Sequence, residues 1–125
     1  MTETRRALGR AAEELVASRL VDAGWRILCR NARTRYGEID IVGMDSGVLV
    51  FVEVKAGRAG RARGPERPVL AVGPDKRRRI RRLAAAWLAA GSCDMPWRAI
   101  RFDAIGVTYS AAGTVEGYEH LRGAF

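Results

Sequence analysis

The sequence has little of what disulfide, zinc or membrane-spanning proteins require. Its 125 residues include two cysteines, Cys29 and Cys93, and a single histidine, His120. This set fits neither a disulfide framework nor a zinc-ligand spacing. No apolar run approaches the roughly 20 residues of a membrane-spanning helix, and residues 1–6 lack the apolar core of a signal peptide. We therefore expect a soluble, reduced, cytoplasmic protein with no membrane partner.

Acidic residues are scarce relative to basic ones. The chain has 14 Asp and Glu against 22 Lys and Arg, a net charge of +8. An excess of this sign indicates anionic partners, nucleic acid above all, and much of it is arginine, which contacts phosphate through two parallel hydrogen bonds. Charge alone does not separate an enzyme from a ribosomal or histone-like binding protein.

The hydrophobic pattern predicts one α/β domain over residues 1–125. Helical spacing predicts helices over residues 4–21 and 74–90. Strands are predicted at residues 25–30, 38–42, 48–54, 99–109 and 114–120. The order α-β-β-β-α-β-β indicates a mixed sheet flanked by helices. Residues 56–74, rich in Gly, Arg and Pro, are predicted to form a mobile basic loop.

Asp40 and the triplet Glu53-x-Lys55 lie in two neighbouring apolar strands. Side chains alternate along a strand, so Glu53 and Lys55 share a face, as do Glu38 and Asp40. If the strands pair as a hairpin, two carboxylates and an ammonium converge. Such carboxylates suit a hard divalent cation, and a cation beside a lysine is typical of phosphodiester cleavage.

A solvated, charged strand face is the alternative interpretation of this triplet. Against it, Val50, Val52 and Val54 form one apolar face, while Phe51 lies in line with the charged residues. The strand is therefore predicted to be central and covered on both sides, where charges are costly unless paired or bound to metal. Asp40 poses the same problem, because its neighbours Ile39 and Ile41 are apolar and predicted to point to the opposite face.

Each helix contributes a charged residue close to its apolar stripe. On the first helix, Glu13 lies at the edge of the stripe and Glu14 on the far side. Glu13 is thus a third candidate acid, or else an ordinary border glutamate. On the second helix, Lys76 falls within the stripe, where it either extends along apolar surface to reach water or holds a phosphate.

Arginines of the second helix and of the basic loop are predicted to bind a nucleic-acid backbone without reading base sequence. With Lys76, the predicted contacts are Arg58, Arg61, Arg63, Arg78, Arg81 and Arg82. Asp103 is also flanked by strand residues, and we interpret it as the partner of a nearby arginine rather than a metal ligand.

In combination these residues resemble the PD-(D/E)xK nuclease superfamily. The chain is more closely similar to the YraN-like bacterial family, itself similar to archaeal Holliday-junction resolvases. The matching stretches are Gly9-x-x-x-Glu13, Asn31-x-Arg33, Gly37-Glu38-Ile39-Asp40, Phe51-Val52-Glu53-Val54-Lys55, Lys76, Arg101-Phe102-Asp103 and Ala124-Phe125. The pair Ala11-Ala12 and the segment Ala56-Gly57-Arg58 depart from the pattern without touching the acids.

The resemblance implies a restriction-endonuclease-like fold and a Mg²⁺- or Mn²⁺-dependent site. In it Asp40 and Glu53 would hold the metal, Lys55 would position or activate water, and Glu13 would complete the catalytic set. The function so implied is endonucleolytic cleavage of DNA, in preference to RNA, with branched DNA as a candidate substrate. Two alternatives stay open: a non-catalytic nucleic-acid-binding module, and a scaffold that retains the site. No surface patch in the sequence indicates a homodimer.

Overall fold

The computed structural model describes residues 2–59 and 73–125, with side chains from Arg6 onward. Within these residues, two helices and five strands follow one another in the order α-β-β-β-α-β-β. They are α1 (Thr2–Asp22), β1 (Arg26–Thr34), β2 (Gly37–Asp45), β3 (Val48–Arg58), α2 (Pro74–Ala89), β4 (Ala99–Tyr109) and β5 (Val115–Leu121). The predicted α/β class and element order are confirmed.

All five strands belong to one mixed sheet with the order β1-β2-β3-β4-β5. β1, β2 and β3 form an antiparallel meander, and β4 and β5 are antiparallel. β3 and β4 run parallel, which requires a long crossover, and α2 lies in that connection. β3 is the central strand, as its apolar residues on both faces predicted.

The two helices cover opposite faces of the sheet with separate cores. Beneath α1, the buried residues Ala12, Val16 and Leu20 pack against Val50 and Val52 of β3. Beneath α2, Phe51 meets Trp87 edge to face, with ring centroids 5.7 Å apart, in a cluster with further buried side chains of α2, β1 and β2. Alternation along β3 therefore directs Val50, Val52 and Val54 to α1 and Phe51 to α2.

Strand β2 does not alternate as predicted. Ile39 belongs to the core beneath α2 and Ile41 to the core beneath α1, so the prediction that they share a face was wrong. The break lies beside Asn31 of β1, which has a left-handed backbone with φ of 51°. The pairing register does not change here, since Arg30 lies opposite Ile41 and Ala32 opposite Ile39. A left-handed residue kinks the strand, and asparagine tolerates this conformation better than most side chains.

Several predicted boundaries also change. β3 continues to Arg58 because it pairs with β4 along its whole length, so the segment predicted as a loop from residue 56 begins as strand. Residues 60–72, with Arg61 and Arg63, lie outside the described residues. Trp25 is buried in the turn before β1 rather than in the strand. Within the described part of the chain, neither helix is long and apolar enough to cross a membrane.

Candidate active site

The candidate site lies where β2 and β3 separate. Their antiparallel ladder extends as far as the pair Ile41 and Val52. One residue further, the Asp40 side chain enters the gap, and its Oδ2 accepts a hydrogen bond from the Val54 amide at 2.8 Å. A carboxylate thus replaces a backbone carbonyl as the acceptor for the central strand. This fork fixes Asp40 against both strands.

The Asp40 carboxyl lies in an environment that disfavours its negative charge. Its pKa is raised to about 7, by burial first of all and then by repulsion from Glu53 and Glu13. The Val54 amide acts in the opposite direction, since a donor stabilises the charged form. A hydrogen bond with Glu13 also raises the pKa. The Asp40 carboxyl is therefore close enough to interact electrostatically with both of the others.

Glu13 and Glu14 differ in the way that the helical periodicity predicted. Glu13 is half-buried and interacts with Asp40. Glu14 is exposed and forms an ion pair with Arg30, with Nη1 and Oε1 3.0 Å apart. Helix α1 therefore presents one of two adjacent glutamates to the fork and the other to solvent.

Glu53 and Lys55 lie side by side on β3, as predicted. Lys55 Nζ is 3.1 Å from Glu53 Oε1, and both side chains are about one-fifth exposed. Desolvation alone would lower the pKa of Lys55, but a hydrogen bond with Lys76 and attraction to Glu53 raise it. The pKa of Lys76 is lowered, first by that same hydrogen bond and then by burial. Of the two lysines, Lys55 therefore holds its proton more tightly.

Lys76 is exposed as a residue, yet its ammonium contacts the site from the first turn of α2. It lines a cleft that encloses about 450 Å³, counting the solvent at its mouth. The lining residues are Glu38, Asp40, Glu53, Lys76, Arg79, Ile80, Leu83 and Phe125. Of the two interpretations of Lys76, the geometry favours a side chain that faces the cleft.

Arg79 is a cleft residue that the sequence prediction missed. Its guanidinium packs on the backbone of Gly37, where an added Cβ would lie 2.6 Å from Nη2. The spacing of three residues from Lys76 was the available signal, because such residues are neighbours on a helix surface. On the other side of the sheet, Arg6 and Arg10 line a groove with Glu13. They precede Glu13 by seven and three residues, again at helical spacing.

The predicted backbone-binding arginines do not converge on the fork. Arg78, Arg81 and Arg82 are exposed residues of α2. Arg78 is paired with Asp75, whereas the guanidinium groups of Arg81 and Arg82 lie over the rings of Phe102 and Tyr36. Arg58 lies at the end of β3, with its guanidinium 3.5 Å from the Ala111 carbonyl oxygen. They are therefore surface charges around the site and not part of its acidic centre.

Asp103 is fully buried and is the centre of a separate ion-pair network. Arg101 donates two hydrogen bonds to its carboxylate, at 2.8 and 3.0 Å. His120 Nε2 lies 2.8 Å from Oδ2, and the Gly123 amide donates to Oδ1 at 2.9 Å. The prediction that Asp103 pairs with an arginine is confirmed. The part played by His120 was not predicted, because it depends on the pairing of β4 with β5.

The donor set suits a hydrated divalent cation better than a preformed cage. Among the described residues, no group of three Asp, Glu, His or Cys side chains is arranged to hold a metal. Mg²⁺, however, usually takes one or two carboxylates together with waters and substrate phosphates. Asp40 and Glu53 supply two carboxylates whose mutual repulsion a cation would relieve. The residues present therefore fit such an ion.

The fold and the site together define an α/β protein with an acidic and lysine-bearing cluster at a fork in its sheet. The chain belongs to the uncharacterised protein family UPF0102, whose model matches residues 12–107. This confirms the resemblance to the YraN-like family. The wider resemblance to nucleases stays a prediction.

Relatives from several bacteria match nearly the whole chain. A UPF0102 protein of Mycolicibacterium smegmatis is 49% identical over 122 residues, 96% of this chain and 94% of its own length. One from Nocardia farcinica is 46% identical over 121 residues, 97% of this chain and 91% of its own. One from Streptomyces griseus is 45% identical over 119 residues, 95% of this chain and 96% of its own. These names state a family and no activity.

Proposed function

We propose that the protein is a metal-dependent endonuclease that hydrolyses phosphodiester bonds in DNA, with branched DNA as the candidate substrate. The observation that carries this proposal is the fork. Asp40, Glu53 and Glu13 share one electrostatic field there, beside a protonated Lys55 and next to a cleft lined by Lys76 and Arg79. A buried carboxyl whose pKa is raised to about 7, beside other acids, is typical of a functional site.

Each residue has a role that its position supports. Asp40 and Glu53 would hold Mg²⁺ or Mn²⁺, which stabilises the negative charge that develops on phosphate oxygens. The raised pKa of Lys55 favours its charged form, which would donate a hydrogen bond to a water or to a phosphate oxygen. Glu13 would accept hydrogen bonds at the rim. The cations of Lys76 and Arg79 would bind the phosphate that enters the cleft.

A second candidate, a nucleic-acid-binding module without catalysis, is favoured by a different observation. The described residues include no three-ligand metal cluster, whereas exposed arginines are plentiful on α2. Such a module would bind nucleic acid with strong salt dependence and would require no metal.

Cleavage assays separate the two candidates. Purified protein is incubated with branched, flapped and linear DNA in Mg²⁺, in Mn²⁺ and in EDTA. We expect metal-dependent cleavage that falls by at least about 100-fold in Asp40→Asn and Glu53→Gln. Glu13→Gln is expected to lower the rate, while Glu14→Gln, the adjacent exposed glutamate, serves as the matched control and retains it. Absence of cleavage by the wild type, or equal cleavage by the Asp40 and Glu53 variants, would refute the proposal.

A further inference from the structure

An exposed tyrosine at the β1–β2 turn is packed among arginines. Tyr36 is 38% exposed. The Arg35 guanidinium lies 4.9 Å from the ring centroid, and its Nη2 donates a hydrogen bond to the phenol oxygen at 2.8 Å. From α2, the Arg82 guanidinium lies 5.6 Å from the same centroid. The turn therefore presents an aromatic ring together with two cations.

This aromatic group is continuous with the candidate active site. Gly37 follows Tyr36 and carries the Arg79 guanidinium on its backbone. Arg79 in turn lines the cleft that contains Asp40 and Glu53. A chain of basic side chains thus leads from the ring to the carboxylates, along the first half of α2.

We propose that Tyr36 is a stacking site for an unpaired nucleobase, with Arg82 on the base and Arg79 on the neighbouring phosphate. The proposal rests on the proposed function, since it names the substrate class of the same cleft. Arg35 is hydrogen-bonded to the Tyr36 phenol oxygen, so a base would enter on the Arg82 side of the ring. The Arg82 side chain, now 5.6 Å from the ring centroid, would move outward and stack on the base. The planar guanidinium and the aromatic ring would each stack on one of its faces.

The chemistry of this site selects for unpaired nucleotides. In a duplex, neighbouring base pairs cover the faces of each base, whereas single-stranded or branched segments expose them. Phosphate contacts alone do not make this distinction, because both forms carry the same charged backbone. Tyr36 would therefore direct the cleft to phosphodiester bonds next to an unpaired nucleotide.

Binding of short oligonucleotides in EDTA tests the proposal without requiring cleavage. The probes are a thymidine 12-mer and an abasic 12-mer, which has the same phosphates and no bases. Tyr36→Leu is expected to weaken binding of the thymidine strand by about tenfold, within the range for one stacked base. It should leave the abasic strand unchanged, and Tyr36→Phe should bind both strands as the wild type does.

Two further variants make the test specific. Arg82→Lys keeps the charge and loses the planar surface. It should therefore weaken binding of the thymidine strand and leave binding of the abasic strand unchanged. Trp97→Leu is the control: Trp97 is 41% exposed, and its neighbour Arg98 bonds to the Ser46 carbonyl at the opposite end of β2. This change should affect neither strand. A uridine 12-mer then shows whether the site prefers DNA or RNA.

The proposal would be overturned if Tyr36→Leu lost the same binding affinity for both strands, or lost no affinity for either. Failure of the proposed function has a different signature, because a protein that stacks bases without cutting would show the difference between strands and no cleavage with Mg²⁺. Thermal unfolding of each variant confirms that the fold is intact.

Discussion

At the scale of single residues, two aspartates show how environment decides chemistry. Asp40 is held at the fork by one amide and faces two other carboxyls, and burial first of all raises its pKa to about 7. For Asp103, burial alone would also raise the pKa, but hydrogen bonds from His120 and Arg101 outweigh it and lower the pKa. The negative charge of Asp103 is therefore compensated by its hydrogen-bond partners. At Asp40 the hydrogen bond from the Val54 amide does not offset burial and repulsion.

The raised pKa of Asp40 predicts a pH-dependent stability. An unfolded aspartate ionises near 3.8 and the folded one near 7, so folding becomes less favourable as pH rises through this window. Asp40→Asn, which keeps an acceptor for the Val54 amide, should be more stable than wild type at pH 8 by on the order of 2–3 kcal/mol. Below pH 4 the two proteins should be equally stable in urea unfolding.

The same pKa shift predicts a response to metal. At pH 8, Mg²⁺ should raise the Tm of the wild type, because a bound cation relieves the repulsion at Asp40 and stabilises the folded state by mass action. Asp40→Asn and Glu53→Gln should show a smaller shift, and Glu14→Gln the full one. An equal shift in all four proteins would mean that Mg²⁺ acts elsewhere.

For Asp103, the predicted pH dependence of stability has the opposite sign. Asp103→Asn removes the buried negative charge that pairs with Arg101, which keeps its bond to Asp45. Removing one member of a buried ion pair typically costs about 3–5 kcal/mol, and the remaining Asp45 contact places the expected loss at the lower end. The loss should appear at neutral pH and shrink as pH falls, since the wild-type carboxylate then becomes protonated. Chemical unfolding measures it. Asp45→Asn, which leaves Arg101 its pair of bonds to Asp103, is the control and should cost less.

At the scale of elements, the β2–β3 hairpin and the kink of β1 at Asn31 create the site. The alternation of β3 predicted that Glu53 and Lys55 share a face, and their 3.1 Å contact agrees. Helical spacing likewise distinguished Glu13 from Glu14. The change of face between Ile39 and Ile41 was not predictable, because it depends on how β1 and β3 pair with β2 on either side.

The kink itself gives a prediction at Asn31. Its left-handed backbone costs a residue with a branched Cβ about 1–2 kcal/mol more than glycine or asparagine. Asn31→Val should therefore lower the free energy of unfolding by that amount, while Asn31→Gly should change it little. Arg33→Val, on the same strand and largely exposed, controls for the substitution. If Asn31→Val proves as stable as Arg33→Val, the kink is not constrained by residue 31.

At the scale of the whole molecule, the net charge of +8 is distributed unevenly. Helix α2 has a run of arginines from Arg77 to Arg79, then Arg81 and Arg82, and all of them are exposed. Carboxylates instead converge at the fork beneath the first turn of this helix. A nucleic-acid backbone would thus meet cations first and acids only within the cleft.

This distribution predicts the salt dependence of binding. Each phosphate contact contributes about 0.9 to the slope of log K against log salt on duplex DNA. The double variant Arg78→Gln and Arg81→Gln should therefore reduce the slope by up to about 2. The same changes at Arg19 and Arg26, which are exposed on α1 and at the far end of β1, should leave it nearly unchanged. Titrations at several salt concentrations measure both slopes.

The sequence by itself determined the elements, the sheet class and the candidate acids, because helical and strand periodicities are local properties of the chain. It also predicted that β3 is central, since apolar residues occupy both of its faces. Only the tertiary structure decided that β2 and β3 part at Asp40, that Arg79 lines the cleft and that His120 meets Asp103. These contacts join residues distant in sequence, so they depend on strand register and helix placement rather than on local pattern.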